Sequence, residues 1–244
     1  MLLLLLIHLL RDPKGSAVLG TIVIFKQFFM PLIDTHAHIY LPEFDAGRAE
    51  MQHAAADKGI GTIYMPAIDS TTHTQMLSVE AQFSHCIAMM GLHPCSVNEQ
   101  YEAELALVES YLQQRPFAAV GEIGLDFYWD VTFKQQQYAA FEKQIDWALQ
   151  YDLPIVIHSR NAIDECIVVV QNHKGLRGIF HCFSGTEQQA RRIIDAGFLL
   201  GIGGVVTYKN AGLDKVVAAM GLDHVVLETD APYLAPVPYR GKRN

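Results

Sequence analysis

Residues 31–39 read PLIDTHAHI. A short apolar run leads into Asp34-Thr35-His36-Ala37-His38, and this ending separates two fold classes. A doubly wound dinucleotide-binding sheet places a glycine-rich phosphate loop after its first strand. Here the strand ends in His-x-His instead. Strand side chains alternate with period two, so His36 and His38 point the same way and can reach one metal ion. Asp34 shares that face one layer deeper, where it is expected to orient a histidine. Alone, His-x-His is a weak signal, since a satisfied polar pair reads the same way.

Working outward, apolar and β-branched runs recur at Leu32–Ile39, Gly61–Ile68, Cys86–Leu92, Ala118–Leu125, Ile155–His158, Gly178–Phe183, Phe198–Gly203 and Val225–Thr229. Helical spacing fills the intervals. Tyr101, Leu105, Val108 and Leu112 form one apolar stripe, and Tyr138, Phe141, Ile145 and Ala148 a second. Ile163, Cys166, Ile167 and Val170 form a third, and Ala190, Ile193, Ile194 and Gly197 a fourth. Ser184 with Glu187 predicts a capping box before the fourth. Gly59 falls where a helix-terminating glycine sits.

Strand–helix alternation implies parallel strands with right-handed crossovers. Eight strands between residues 31 and 244 predict an α/β (β/α)₈ TIM barrel. No repeat, charge block or linker divides this span, so 31–244 reads as one domain. Only fifteen residues follow Thr229, with Pro232, Pro236 and Pro238 among them and no helical stripe. The barrel is therefore expected to lack its last helix and the domain to be C-terminally truncated. Val225, Val226, Leu227, Leu32 and Ile33 would then be partly bare.

Active sites of such barrels form at the C-terminal ends of the strands. Glu122 lies within AAVGEIGLD, where a carboxylate inside an apolar strand must be paired or bind a cation. His158 ends PIVIHSR, His181 sits in GIFHCFSG, and Asp230 closes VVLETDAP before a proline that stops the strand. Each alone reads equally as a core histidine or a capping aspartate. Together with His36 and His38, on strands 1, 4, 5, 6 and 8, they predict a metal centre. One catalytic zinc needs about three protein ligands. Six, with Glu122 central, predict two ions, which can activate water and clamp a phosphoryl group. Mixed histidine and carboxylate ligation suits Mg²⁺, Mn²⁺ or Zn²⁺.

Composition sets the outer limits. Half of the 244 residues are hydrophobic and 18% are charged, which excludes disorder for most of the chain. A formal net charge of -8 argues against nucleic-acid binding through a broad basic surface. It leaves open a local site where metal ions supply positive charge. Cys86, Cys95, Cys166 and Cys182 form no C-x-x-C pair and read as reduced thiols of a cytosolic protein. The first thirty residues carry MLLLLLIHLL and AVLGTIVIF, broken by RDPKG and too short to span a bilayer. No positive charge precedes the apolar run, as an export signal would want. Residues 1–30 are read as an extension outside the fold, with Met30 an alternative start, and no stable membrane association is expected.

In order along the chain, LIDTHAHIY, GLHP, GEIGLDFYWD, PIVIHSR, FHCFSG, GIGG and LETDAPYLAP resemble the TatD family of metal-dependent deoxyribonucleases. The resemblance runs from about Pro31 to Asn244. It implies a barrel of the metallo-dependent hydrolase superfamily. It also implies divalent-metal hydrolysis of DNA phosphodiesters, usually as a 3′→5′ exonuclease, in the cytoplasm. The family's metal ligands carry over onto His36, His38, Glu122, His158, His181 and Asp230. The wider superfamily often has a carboxylated lysine where this chain has Glu122, which favours the phosphodiesterase branch.

Asp230 is then the expected proton acceptor and Glu122 the bridging carboxylate on which turnover depends. Members often read G-x-H-P-H on strand 3, whereas this chain has His93-Pro94-Cys95. His93 is kept as a substrate-binding residue, and Cys95 is read as a loop thiol. Arg160 can grip a phosphate or serve a surface ion pair, and Lys209 is a weaker candidate of the same kind. Tyr128 and Trp129 can stack on a base or pack beneath their loop. His8, His53, His73, His85, His173 and His224 read as surface or packing residues. DNA is the expected substrate, with RNA a second candidate. Two alternatives stand beside the nuclease: an amide or ester hydrolase with the same metal site, and a non-catalytic metal-stabilised barrel.

Overall fold

Strand and helix alternate in a computed structural model that describes residues 31–244; the extension predicted over residues 1–30 lies outside them. The order is β1 (Leu32–Asp34), α1 (Arg48–Asp57), β2 (Ile60–Pro66), α2 (Ser70–Gln82), β3 (Cys86–Met89), α3 (Tyr101–Gln114), β4 (Val120–Asp126) and α4 (Lys134–Gln150). It continues with β5 (Ile155–Arg160), α5 (Ile163–Gln171), β6 (Gly178–Phe180), α6 (Glu187–Asp195), β7 (Phe198–Ile202), α7 (Leu213–Met220) and β8 (Val225–Leu227). All strand pairs are parallel, as crossover helices require. The architecture is the α/β TIM barrel.

The ladder runs in two pieces, β1-β2-β3 and β4-β5-β6-β7-β8. A single bridge, Met90 to Val120, spans β3 and β4. At the other seam, backbone hydrogen bonds join the ends of β1 and β8. Thr35 N–H donates to Leu227 O at 3.0 Å, Asp230 N–H to His36 O at 2.9 Å, and His38 N–H to Ala231 O at 2.7 Å. This seam holds together the segments that carry His36, His38 and Asp230.

The predicted helical stripes face the core. Leu105, Val108 and Leu112 are buried on α3, Phe141, Ile145 and Ala148 on α4, and Cys166, Ile167 and Val170 on α5. They meet an inner layer that includes Val120, Ile123, Ile157, Phe180 and Leu200. Gly59 follows α1 at φ +91°, as a helix-terminating glycine should. No described helix is long and apolar enough to cross a membrane.

Three local expectations need correction. Several strands are shorter than predicted: β1 ends at Asp34, so His36 and His38 lie on the segment beyond it. The capping box before α6 is made by Thr186 and Gln189, not by Ser184 and Glu187. Thr186 has the hydroxyl placed to accept the Gln189 N–H. Asp34 does not touch an imidazole; it accepts the His36 and Thr229 backbone N–H groups. Among the described residues no helix follows β8. Leu32, Ile33 and Leu227 are 49%, 45% and 55% exposed.

Candidate metal centre

The sheet's parallel register brings the segments just after β1, β6 and β8 against the interiors of β4 and β5, and Glu122, the third residue of β4, occupies the meeting point. Its two oxygens face different partners. Oε2 lies 3.2 Å from Nε2 of His36 and 3.6 Å from Nε2 of His38. Oε1 lies 2.9 Å from Nδ1 of His158 and 3.7 Å from Nε2 of His181. Asp230 Oδ1 stands 3.7 to 3.8 Å from His36, His38 and His181. All six sequence-predicted ligands are thus brought together. His93 joins them, with Nε2 at 3.5 Å from Glu122 Oε1.

Close packing of backbone makes this possible. Gly124 on β4 has φ +136°, and a Cβ there would sit 2.1 Å from the His158 carbonyl oxygen. Only glycine lets β4 and β5 approach so closely at the level of Glu122 and His158. A Cβ at Gly201 would likewise meet Glu228 Oε2 at 2.3 Å.

Three of the four ligand imidazoles have their far nitrogen held from behind. His38 Nδ1 lies 3.0 Å from the Tyr40 hydroxyl, which itself donates to Pro66 O at 2.6 Å. The His38 proton therefore belongs on Nδ1, leaving Nε2 with a lone pair toward the centre. His158 Nε2 lies 2.8 Å from Asp126 Oδ2. His181 Nδ1 lies 3.1 Å from Glu228 Oε1, an ion-pair contact out of line for a hydrogen bond. His36 differs, for its buried Nδ1 has no partner. Tyr40, Asp126 and Glu228 were not among the sequence-predicted site residues. The period-two rule that paired His36 with His38 also pairs Glu122 with Asp126 and Glu228 with Asp230, and it was the available signal.

This donor set fits divalent cations. With its proton toward Asp126, His158 turns a lone pair on Glu122 Oε1 only 2.9 Å away. His36 Nε2 and His38 Nε2 face one another at 3.3 Å. Such acceptor pairs repel unless a cation, proton or metal, is shared between them. The residues fall into compact groups able to hold an ion, including His36-Glu122-His181 and His36-His38-Asp230.

The electrostatics follow from burial and crowding. Burial would raise the Glu122 carboxyl, but His93, His36 and His181 hold it well below the ordinary range. Burial keeps His36 from protonating. Burial would also lower His181, but Glu228, Glu122 and Asp230 around it push it up to about 10. Burial pushes Asp230 up to about 6, against the opposing pull of His181 and His38. A buried site of this kind favours multivalent positive charge.

A cleft of about 670 Å³ opens onto the centre, lined in part by His93, Cys95, Trp129, Arg160 and Tyr233. Arg160 lies on its rim and its guanidinium stacks on Tyr128 at 3.9 Å, with Trp129 at 5.2 Å. Trp129 is 68% exposed, so it stands up from its loop instead of packing beneath it. Lys209 is exposed and does not line the cleft. Cys95 does line it.

A family model described as TatD related DNase matches residues 33–244. The chain is 34% identical over 216 residues to the uncharacterized metal-dependent hydrolase YabD of Bacillus subtilis, covering 87% of this chain and 85% of that one. It is 34% identical over 216 residues to the uncharacterized metal-dependent hydrolase YjjV of Escherichia coli, covering 87% and 83%. The crystal structure of YjjV superposes with a TM-score of 0.83 at 32% identity, covering 87% of this chain and 84% of that one. A TatD-family hydrolase from Entamoeba histolytica shares the fold with a TM-score of 0.71 at 22% identity, covering 84% and 75%.

Proposed function

The chain belongs to the TatD family of metal-dependent hydrolases, and from that premise we propose that it hydrolyses DNA phosphodiester bonds as a 3′→5′ exonuclease. The observation that carries this reading is the division of Glu122. One oxygen faces the β1 histidines and the other faces His158 and His181. A single carboxylate serving two sets of imidazoles is the arrangement that two adjacent ions require. His36, His38 and Asp230 would hold one ion with Oε2, and His158 and His181 the other with Oε1. When bound, Mg²⁺, Mn²⁺ or Zn²⁺ would polarise phosphoryl oxygens and lower the pKa of water.

The protein's own groups divide the remaining work. Asp230 accepts the proton of the attacking water at the carboxylate oxygen that the ion would leave free. Glu122 stays ionised and fixes the positive charge in place. Tyr128 covers one face of the Arg160 guanidinium, so its N–H edge is the part left to donate to phosphate oxygens. Trp129 offers an exposed face to a nucleobase. His93 accepts the Cys95 N–H at Nδ1, so in the neutral ring the proton sits on Nε2 and points toward the centre. It is a donor to substrate oxygen. The four free cysteines suit a reducing compartment, and the cytoplasm is the proposed location.

A panel of labelled single-stranded DNA, RNA, a carboxylic ester and a cyclic amide, each given with Mg²⁺, Mn²⁺ or Zn²⁺, tests the proposal. Expected is stepwise loss of nucleotides from the 3′ end of DNA, abolished by chelator. Turnover of the ester or amide with DNA left intact would overturn it.

A further inference from the structure

We propose that Asp126 is a positioning residue that ties the metal centre to the substrate rim. It sits at the end of β4, four residues beyond Glu122 and on the same face, and it is fully buried. Its two oxygens are divided as clearly as those of Glu122. Oδ2 lies 2.8 Å from Nε2 of His158. Oδ1 accepts the backbone N–H groups of Tyr128 at 2.9 Å and Trp129 at 3.1 Å. The Asp126 main chain is fixed independently, for Gln137 Oε1 accepts its N–H at 2.9 Å and Gln137 donates back to its carbonyl at 3.1 Å.

Each oxygen has a distinct consequence. A carboxylate at Oδ2 can only accept, so His158 carries a proton on Nε2, and in the neutral ring the lone pair is then on Nδ1, toward Glu122. That is the tautomer a metal ligand needs. At Oδ1 the same carboxylate folds residues 126–129 into a tight turn. This turn lifts Tyr128 and Trp129 to the rim, where both lie beside Arg160. One side chain thereby sets both the ligand that faces the ion and the aromatic pair that meets the substrate. This inference rests on the reading of the centre as metal-binding.

Asp126→Asn separates the two roles. The amide oxygen can keep the Tyr128 and Trp129 N–H groups, but its NH₂ then faces His158. A donor there drives the ring proton onto Nδ1, the nitrogen turned to Glu122. Asp126→Ala removes both functions. The readouts are zinc affinity of metal-free protein by equilibrium dialysis, and the part of tryptophan emission that Trp129→Phe abolishes. Expected for Asp126→Asn is a ten- to hundredfold loss of zinc affinity with Trp129 emission unmoved, in line with groups that support metal ligands. Expected for Asp126→Ala is the same loss with a shifted Trp129 emission. Zinc affinity of Asp126→Asn within about twofold of the parent would overturn the proposal, and so would unchanged Trp129 emission in a folded Asp126→Ala. Should Asp126→Ala fail to fold, Asp126→Asn alone decides the metal arm. Loss of zinc affinity in Asp126→Asn, beside a wild-type protein that binds zinc yet cleaves no DNA, would leave this inference standing and remove only the nuclease reading.

Discussion

Asp34 Oδ2 accepts the Thr229 hydroxyl at 2.6 Å, and Asp34 Oδ1 accepts the Thr229 N–H at 3.0 Å. The two residues are 195 positions apart and close the seam between β1 and β8, where the ladder itself is interrupted. His36 and His38 follow one partner, and Asp230 follows the other. The geometry of three candidate ligands therefore depends on this clasp together with the backbone hydrogen bonds of the seam.

Asp34→Ala should be costly on both counts. It strands the His36 and Thr229 N–H groups and the Thr229 hydroxyl in a largely buried place. Each unsatisfied donor costs about 1–3 kcal/mol. A drop in stability of about 3 kcal/mol is expected by urea unfolding, together with weaker zinc binding in the folded fraction. Thr229→Val, which loses only the hydroxyl, should cost about 1 kcal/mol. Equal losses for the two variants would show that the backbone contacts carry nothing.

Glu228 stands behind His181 as Asp126 stands behind His158. Glu228 Oε1 also accepts the Cys182 N–H at 2.7 Å. Glu228→Gln should keep that backbone contact but remove the charge beside His181. Zinc affinity measured by dialysis is expected to fall about tenfold or more. Unchanged affinity would mean that Glu228 serves only to anchor the Cys182 backbone.

Asp230→Asn should retain DNA binding and lose cleavage, because an amide cannot accept the proton. Fluorescence anisotropy with labelled single-stranded DNA, beside a rate measurement, separates the two. A fall in rate beyond about 10²-fold with affinity kept within a few fold is expected. Parallel loss of both would reduce Asp230 to a ligand that holds the site together.

Away from the centre, Glu80 predicts a pH dependence of stability. Burial would raise its carboxyl, but the Arg115 guanidinium and the Ala88 N–H hold it below its ordinary value of 4.5. A carboxyl depressed in the folded state stabilises above the unfolded value, and that contribution is lost as pH falls through the folded value. Glu80→Gln should therefore cost up to about 1 kcal/mol at neutral pH, since Arg115 is open to solvent, and the difference from the parent should shrink below about pH 4. Urea midpoints at pH 7 and pH 3 check this. An equal difference at both would assign the effect to packing.

Much of this was legible in the residues. The alternation of apolar runs with stripes such as Leu105-Val108-Leu112 predicts the barrel, because burial on one helical face leaves a periodic trace. The six candidate ligands are visible as polar residues at the ends of apolar strands. What sequence alone obscured has physical reasons. The four stripes leave out α1, with its three consecutive alanines and Gln52 buried, and the Ser- and Thr-rich α2, since neither carries a strong apolar stripe; they also leave out the short α7, whose Leu213, Val216, Val217 and Met220 do keep helical spacing. Asp34 looked like an imidazole partner because alternation gives a side chain's face but not its reach, and the competing donors of Thr229 lie at the far end of the chain. Asp126 and Glu228 share the strand faces of Glu122 and Asp230, yet polar residues beside candidate ligands are easily taken for ligands or caps.

Single-stranded DNA labelled at its 5′ end, incubated with the protein and Mn²⁺ or Mg²⁺, tests the central claim most directly, with Glu122→Ala and chelator run alongside. The account predicts progressive shortening by the wild-type protein. It predicts none with chelator and a loss of more than about 10²-fold for Glu122→Ala, whose missing carboxylate would leave both sets of imidazoles without their common partner. Near-normal shortening by a folded Glu122→Ala, or intact DNA with every metal supplied, would contradict it.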